Sequence, residues 1–264
     1  MRVLPDAANV DLIHLRLRES LETSMGAIAL AGRSNDPYTE VLARYTAALD
    51  NLQLGQLKAA RHEASAVLAL AEGLRDRFWQ CMALRVNQDA AQMAGDFGAA
   101  QELSGRALAA SPTEPRALCA RAVLECEIGD FAQAETFLDR LVGVMRLTPP
   151  GPTVESSTTV GAVARIGGMP DRSDLALATA QAVMSSPDVA PFPDVMARLG
   201  VALLSVERGD KSAAQEQYLA LKPRLSTMWL FSNLAIDRAL VQATAHFEDA
   251  PAFCRKAGYR PELA

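Results

Sequence analysis

The stretch GDFGAAQELSGRALAASPTEP begins at Gly95, and GDFAQAETFLDRL begins at Gly129, a step of 129 − 95 = 34 residues. This recurrence constrains the fold more than any other feature of the chain. Each copy has a Gly-Asp-Phe turn, an alanine at the same offset (Ala100, Ala134) and an apolar run of helical period. Glycine leaves a helix through a positive φ at low cost. The aspartate that follows suits the cap of the next helix and faces the positive end of its dipole. Phe97 and Phe131 then offer a large side chain for the wedge between two helices, and the alanines permit close approach where the helices cross. Pro112 ends the second helix, because proline disfavours helical backbone in the residue before it.

Two further glycines fit the pattern. Gly55 has Ala60, and Gly209 has Ala214, at the alanine offset, with steps of 95 − 55 = 40 and 209 − 129 = 80. The longer step leaves room for one degenerate copy, for which Gly168 is the candidate, with its helix beginning near Ser173. Seven residues before the four glycines stand Ala48, Gln88, Ala122 and Ala202, three of them small.

Composition agrees with helices. Half the residues are apolar, 5% are aromatic, and Ala and Leu outnumber the β-branched types that favour strands. A net charge of −5 gives no basic stripe for nucleic acid. No apolar run reaches the length of a membrane span, and charges interrupt Met1–Ala31, so neither a span nor a secretory signal is expected. The four cysteines (Cys81, Cys119, Cys126, Cys254) lack metal-ligand spacing and read as small buried side chains of a reducing, cytoplasmic setting.

The Gly-Asp-aromatic turns with their spaced alanines resemble the tetratricopeptide repeat, a 34-residue helix–turn–helix unit. The resemblance runs from about Asp36 to the end and is sharpest over Leu84–Pro149. It implies an all-α solenoid of about five to six antiparallel helix pairs in a right-handed superhelix. On this reading residues 1–264 form a single repeat domain. The best repeats are 38–74, 78–112, 115–146 and 194–223, the degenerate ones 160–186 and 226–264, with a proline-rich loop at 147–159. Leu12–Leu30 supplies one apolar helical face. Glu19–Ala31 would be the second helix of a pair whose first helix is short or absent, and Ser226–Thr244 would begin a sixth pair.

The segments RLTPPGPTVE (Arg146–Glu155) and AHFEDAPAFCRKAGYRPELA (Ala245–Ala264) also resemble the repeat region of large bacterial signalling proteins. These are LuxR-type ATPase transcription activators and nucleotidyl cyclase–ATPase fusions.

No P-loop, dinucleotide-binding or nucleophile-elbow motif is present, and His14, His62 and His246 are scattered. Catalytic residues, metal and cofactor are therefore not expected. First helices line the concave face of such a solenoid. The partner-binding candidates are Arg85, Asp89 and Gln92 in one repeat, and Arg116, Cys119 and Val123 in the next. Arg85 and Asp89, spaced i, i+4, can instead pair with each other on a solvated face. The implied function is a non-catalytic, regulatory interaction module of a signalling protein, with a protein or peptide partner and an adjoining ATPase or effector domain. A free-standing peptide-binding adaptor and an enzyme with an unrecognised site are the alternatives. Neither nucleic acid nor membrane is an expected partner. Apolar termini, including Phe247 and Phe253, would leave uncovered ends open to self-association.

Overall fold

The computed structural model describes residues 3–147, 152–166, 170–224, 227–229 and 234–235. Within them twelve α-helices form six successive antiparallel pairs: α1 (Val3–Ile13) with α2 (Leu17–Ser34), α3 (Pro37–Gln53) with α4 (Leu57–Leu74), α5 (Arg77–Met93) with α6 (Phe97–Ala110), α7 (Pro115–Ile128) with α8 (Phe131–Met145), α9 (Val154–Ile166) with α10 (Pro170–Met184), and α11 (Pro191–Glu207) with α12 (Lys211–Leu221). This is the all-α solenoid that the repeat pattern implies.

The turns are built as their residues dictate. Gly55, Gly95, Gly129 and Gly209 all have positive φ, reaching 92° at Gly129, a conformation in which a side chain would crowd the backbone. Asp96 accepts a hydrogen bond from the Ala99 amide and Asp130 one from Gln133, each 3.1 Å, so each caps the following helix. Asp36, Asp76 and Asp210 do the same for α3, α5 and α12. Ala60, Ala100, Ala134 and Ala214 are all buried. Ala100 packs with Ala91 and Leu124, so the small residue admits the neighbouring helices.

The odd-numbered helices form an inner layer in which α3 touches α1 and α5, α7 touches α5 and α9, and α9 touches α11. Helix α1 also touches α11, so the inner helices make a closed circuit. The tightest place is Gly200 on α11, where an added Cβ would lie 2.3 Å from Val160 Cγ1 on α9.

Several expectations are corrected. The face read continuously over Leu12–Leu30 is broken at His14–Arg16, where Leu15 takes φ 59° and starts the α1–α2 turn. The first helix of that pair is thus present and short. Residues 154–159 are helical rather than loop. The Ser157 and Thr158 hydroxyls donate to the Thr153 and Val154 carbonyls one turn back, and the Ser156 amide donates to Thr153 Oγ1, which starts the helix. Helix α10 begins at Pro170, earlier than Ser173; Gly168 lies outside the described residues. Phe97 is partly buried, packed beside Ala100 and Leu124, but Phe131 is 59% exposed and fills no wedge. Within the expected helix Ser226–Thr244 the described residues are extended rather than helical, and the rest lie outside the described residues. After a 3₁₀ turn at Lys222–Arg224, Met228–Trp229 (β1) pairs antiparallel with Leu234–Ala235 (β2), and β1 lies against α3. Phe247 and Phe253 lie outside the described residues.

Candidate functional site

The residues most suited to recognition gather on α3, α5, α7 and α9, where inner helices meet. The position of Arg85 relative to its turn glycine is occupied by Tyr45 in the preceding copy and Cys119 in the next. Equivalent positions stack in a solenoid, and these three make a ladder. Arg85 donates to Asp89 at 2.5 Å and to the Tyr45 hydroxyl at 3.3 Å. Tyr45 meets Trp79 edge-on at 5.2 Å between ring centres, and Trp79 meets Phe78 in the same way. The Arg116 guanidinium lies 5.7 Å from the Phe78 ring centre, is hydrogen-bonded to Glu114 and lies 3.9 Å from Glu155 on α9. At the opposite ends of the same helices, Gln92 donates to Glu127 at 2.8 Å, and Arg165 of α9 pairs with the same carboxylate.

Arg85, Asp89, Gln92, Cys119 and Val123 are fully buried, and Arg116 alone of the six candidates keeps a fifth of its side chain exposed. The Arg85–Asp89 pair exists, but its face is not solvated. Arg85 and Asp89 approach Cys119 closely enough for their charges to bear on its thiol, and the Cys119 thiol reaches the Thr158 carbonyl at 3.5 Å. Val123 belongs to the apolar core. The geometry therefore brings Arg85, Asp89, Cys119 and Arg116 into one aromatic–arginine cluster, while Gln92 sits at the other end of α5 and Val123 in the core.

The cations of this cluster are permanent. Burial works against the charge of Arg85, yet Tyr45 and Asp89 outweigh it and move the guanidinium upward. Arg116 is likewise raised against its burial, through Tyr45, Glu114 and Glu155. The thiols are the reverse case. Burial pushes Cys81 up to about 12, with Glu114 adding to it, and burial with Asp89 raises Cys119 further. Both stay protonated near neutral pH and are poor nucleophiles. Among the described residues no group of three or more His, Cys, Asp or Glu side chains could hold a metal ion, and no helix is long and apolar enough to cross a membrane.

Sequence reasoning overlooked Tyr45, Phe78, Trp79, Glu114 and Glu155. Tyr45 was within reach, by carrying the Arg85 offset back to Gly55. Glu155 was hidden by the reading of 147–159 as loop.

A family profile described as tetratricopeptide repeat matches residues 91–146, from the end of α5 through α8. No curated protein matches the chain. The chain thus carries a tetratricopeptide-repeat region, and such repeats indicate a protein-interaction module.

Proposed function

We propose that this chain is a non-catalytic recognition module that binds a protein or peptide segment along the inner helices, through the edge of the aromatic–arginine cluster. The supporting observation is the exposed part of that cluster. Phe78 is 42% exposed beside Arg116, and Tyr38 occupies the same place at the start of α3 with 49% exposure. Aromatic and arginine side chains dominate the energetics of protein interfaces: the aromatics give large contact area with only two torsions to fix, and arginine adds a planar, multi-donor cation that stacks on them. Arg116 and Glu155 provide opposite charges for orienting a bound backbone or side chain. Arg85, Asp89 and Cys119 lie beneath and support these residues through Tyr45 and Trp79, Gln92 ties the far ends of α5 and α7 through Glu127, and Val123 fills the core.

The wider setting of the proposal is a regulatory segment of a larger bacterial signalling protein in the cytoplasm, next to an ATPase or effector domain. The two resembling segments motivate it. The flanking coding sequence decides between that setting and a free-standing adaptor.

Photo-crosslinking in cells tests the surface. A benzophenone amino acid at position 78 should yield a protein adduct that Arg116→Glu abolishes, whereas the same group at Glu102, exposed on α6, should not. Adducts from position 102 alone would move recognition to the outer helices and overturn the proposal.

A further inference from the structure

Ser20 and Asp50 break the repeat pattern together. Ser20 stands at the offset from Leu15 that Ala60, Ala100, Ala134 and Ala214 have from their glycines. Asp50 stands where later copies have Ala90, Leu124 and Leu204, all buried. The equivalent pair Ala100 and Leu124 makes an apolar contact. Here a hydroxyl and a carboxyl, both fully buried, replace it.

Their hydrogen bonds count protons. Ser20 Oγ lies 2.9 Å from the Ala8 carbonyl oxygen and 2.7 Å from Asp50 Oδ2. A serine hydroxyl has one proton to donate. If it goes to Ala8, the contact with Asp50 is a hydrogen bond only when the carboxyl supplies its own proton. If it goes to Asp50, the Ala8 carbonyl faces a lone pair. Asp50 Oδ1 has no hydrogen-bond partner, so an ionised carboxylate would bury half its charge bare. We propose that Asp50 is protonated in the folded chain, and that the relay from Asp50 through Ser20 to Ala8 latches α1 onto α2 and α3, so that loss of the proton releases α1.

The surroundings favour the neutral form. Helix α1 presents Asp11, a negative charge held by Arg16; α2 presents Ser20 and Ser24, its Glu19 and Glu22 being exposed. On α3 itself Arg44 is engaged by Glu40, and from α4 by Glu63; on α5 Arg85 is engaged by Asp89. Burial pushes Asp50 up to about 8, against the Ser20 hydrogen bond and with a further push from Asp11. An unfolded aspartate titrates near ~4. The latch is therefore strongest below that value, weakens by up to about tenfold per pH unit as pH rises toward ~8, and is level above it.

Two measurements test this on the full chain. In protein labelled with ¹³C at aspartate carboxyls, the signal missing from Asp50→Asn should titrate with a midpoint above about pH 7; a midpoint below about 5, the ordinary range, overturns protonation. Tryptic cleavage after Arg16, taken as a ratio to the same cleavage in Asp50→Asn, should rise several-fold between about pH 7 and 8.5. A flat ratio overturns the latch even if the midpoint is high. The exposed His14 and His62 are common to both proteins and cancel in the ratio. If Asp50→Asn does not fold, Asp50→Ala, which places the next copy's residue at this position, serves as the reference.

Discussion

Arg85 shows how a single residue can be read correctly for its partner and wrongly for its setting. Its spacing from Asp89 announced the ion pair, and that pair is present. On a solvated face it would contribute a few tenths of a kcal/mol. Both side chains are fully buried, so removing one partner leaves a charge in a medium that solvates it poorly. Asp89→Ala should cost about 3–5 kcal/mol in a denaturant titration, far more than an exposed pair. The double variant Arg85→Met/Asp89→Leu should recover most of that loss, because an apolar pair of similar volume needs no desolvation. Equal losses in single and double variants would show that the arginine acts through contacts other than this carboxylate. The pair was legible because i, i+4 spacing is local. The burial was not, because it depends on which helices close over the residue.

At the scale of helices, the turn chemistry made most elements readable. Gly55, Gly95, Gly129 and Gly209 marked four helix–helix turns, with aspartate caps behind three of them. The first turn escaped because Leu15 stands in the glycine position and Ser20 in the alanine position. The start of α9 escaped because its Ser and Thr hydroxyls satisfy helical carbonyls, while composition alone suggests a loop. Packing between α9 and α11 was not signalled at all by the turn pattern, since Gly200 lies inside a helix. Gly200→Ala should destabilise the chain by about 1–3 kcal/mol, as an overpacked contact against Val160. Val160→Ala in the same chain should relieve the crowding and leave the double variant more stable than Gly200→Ala. Thermal melts of the three variants decide it; an additive loss would mean that the helices shift apart freely.

Among the described residues the molecule differs from an open solenoid where its later part returns to its start: α1 touches α11, and β1 lies against α3. In an open array each pair is stabilised by its neighbours alone, and damage at one end fades along the stack. Here a chain shortened to begin at Arg16 should lose amide-exchange protection in α11 as well as in α2 and α3. Protection lost from α2 and α3 alone would show that the α1–α11 contact carries no energy. The expectation of two uncovered ends is corrected to this extent: α1 is covered in part by the far end of the same chain. The same contact bears on how such a protein can change over generations. Tandem arrays ordinarily grow or shrink by whole units with little penalty, since an inserted unit brings its own interfaces. A circuit of six inner helices tolerates no such edit quietly. A seventh among the described helices would part α1 from α11 and the loss of one would crowd them, so a chain with one unit inserted between α5 and α9 should melt below the parent, where an open array would hold its stability.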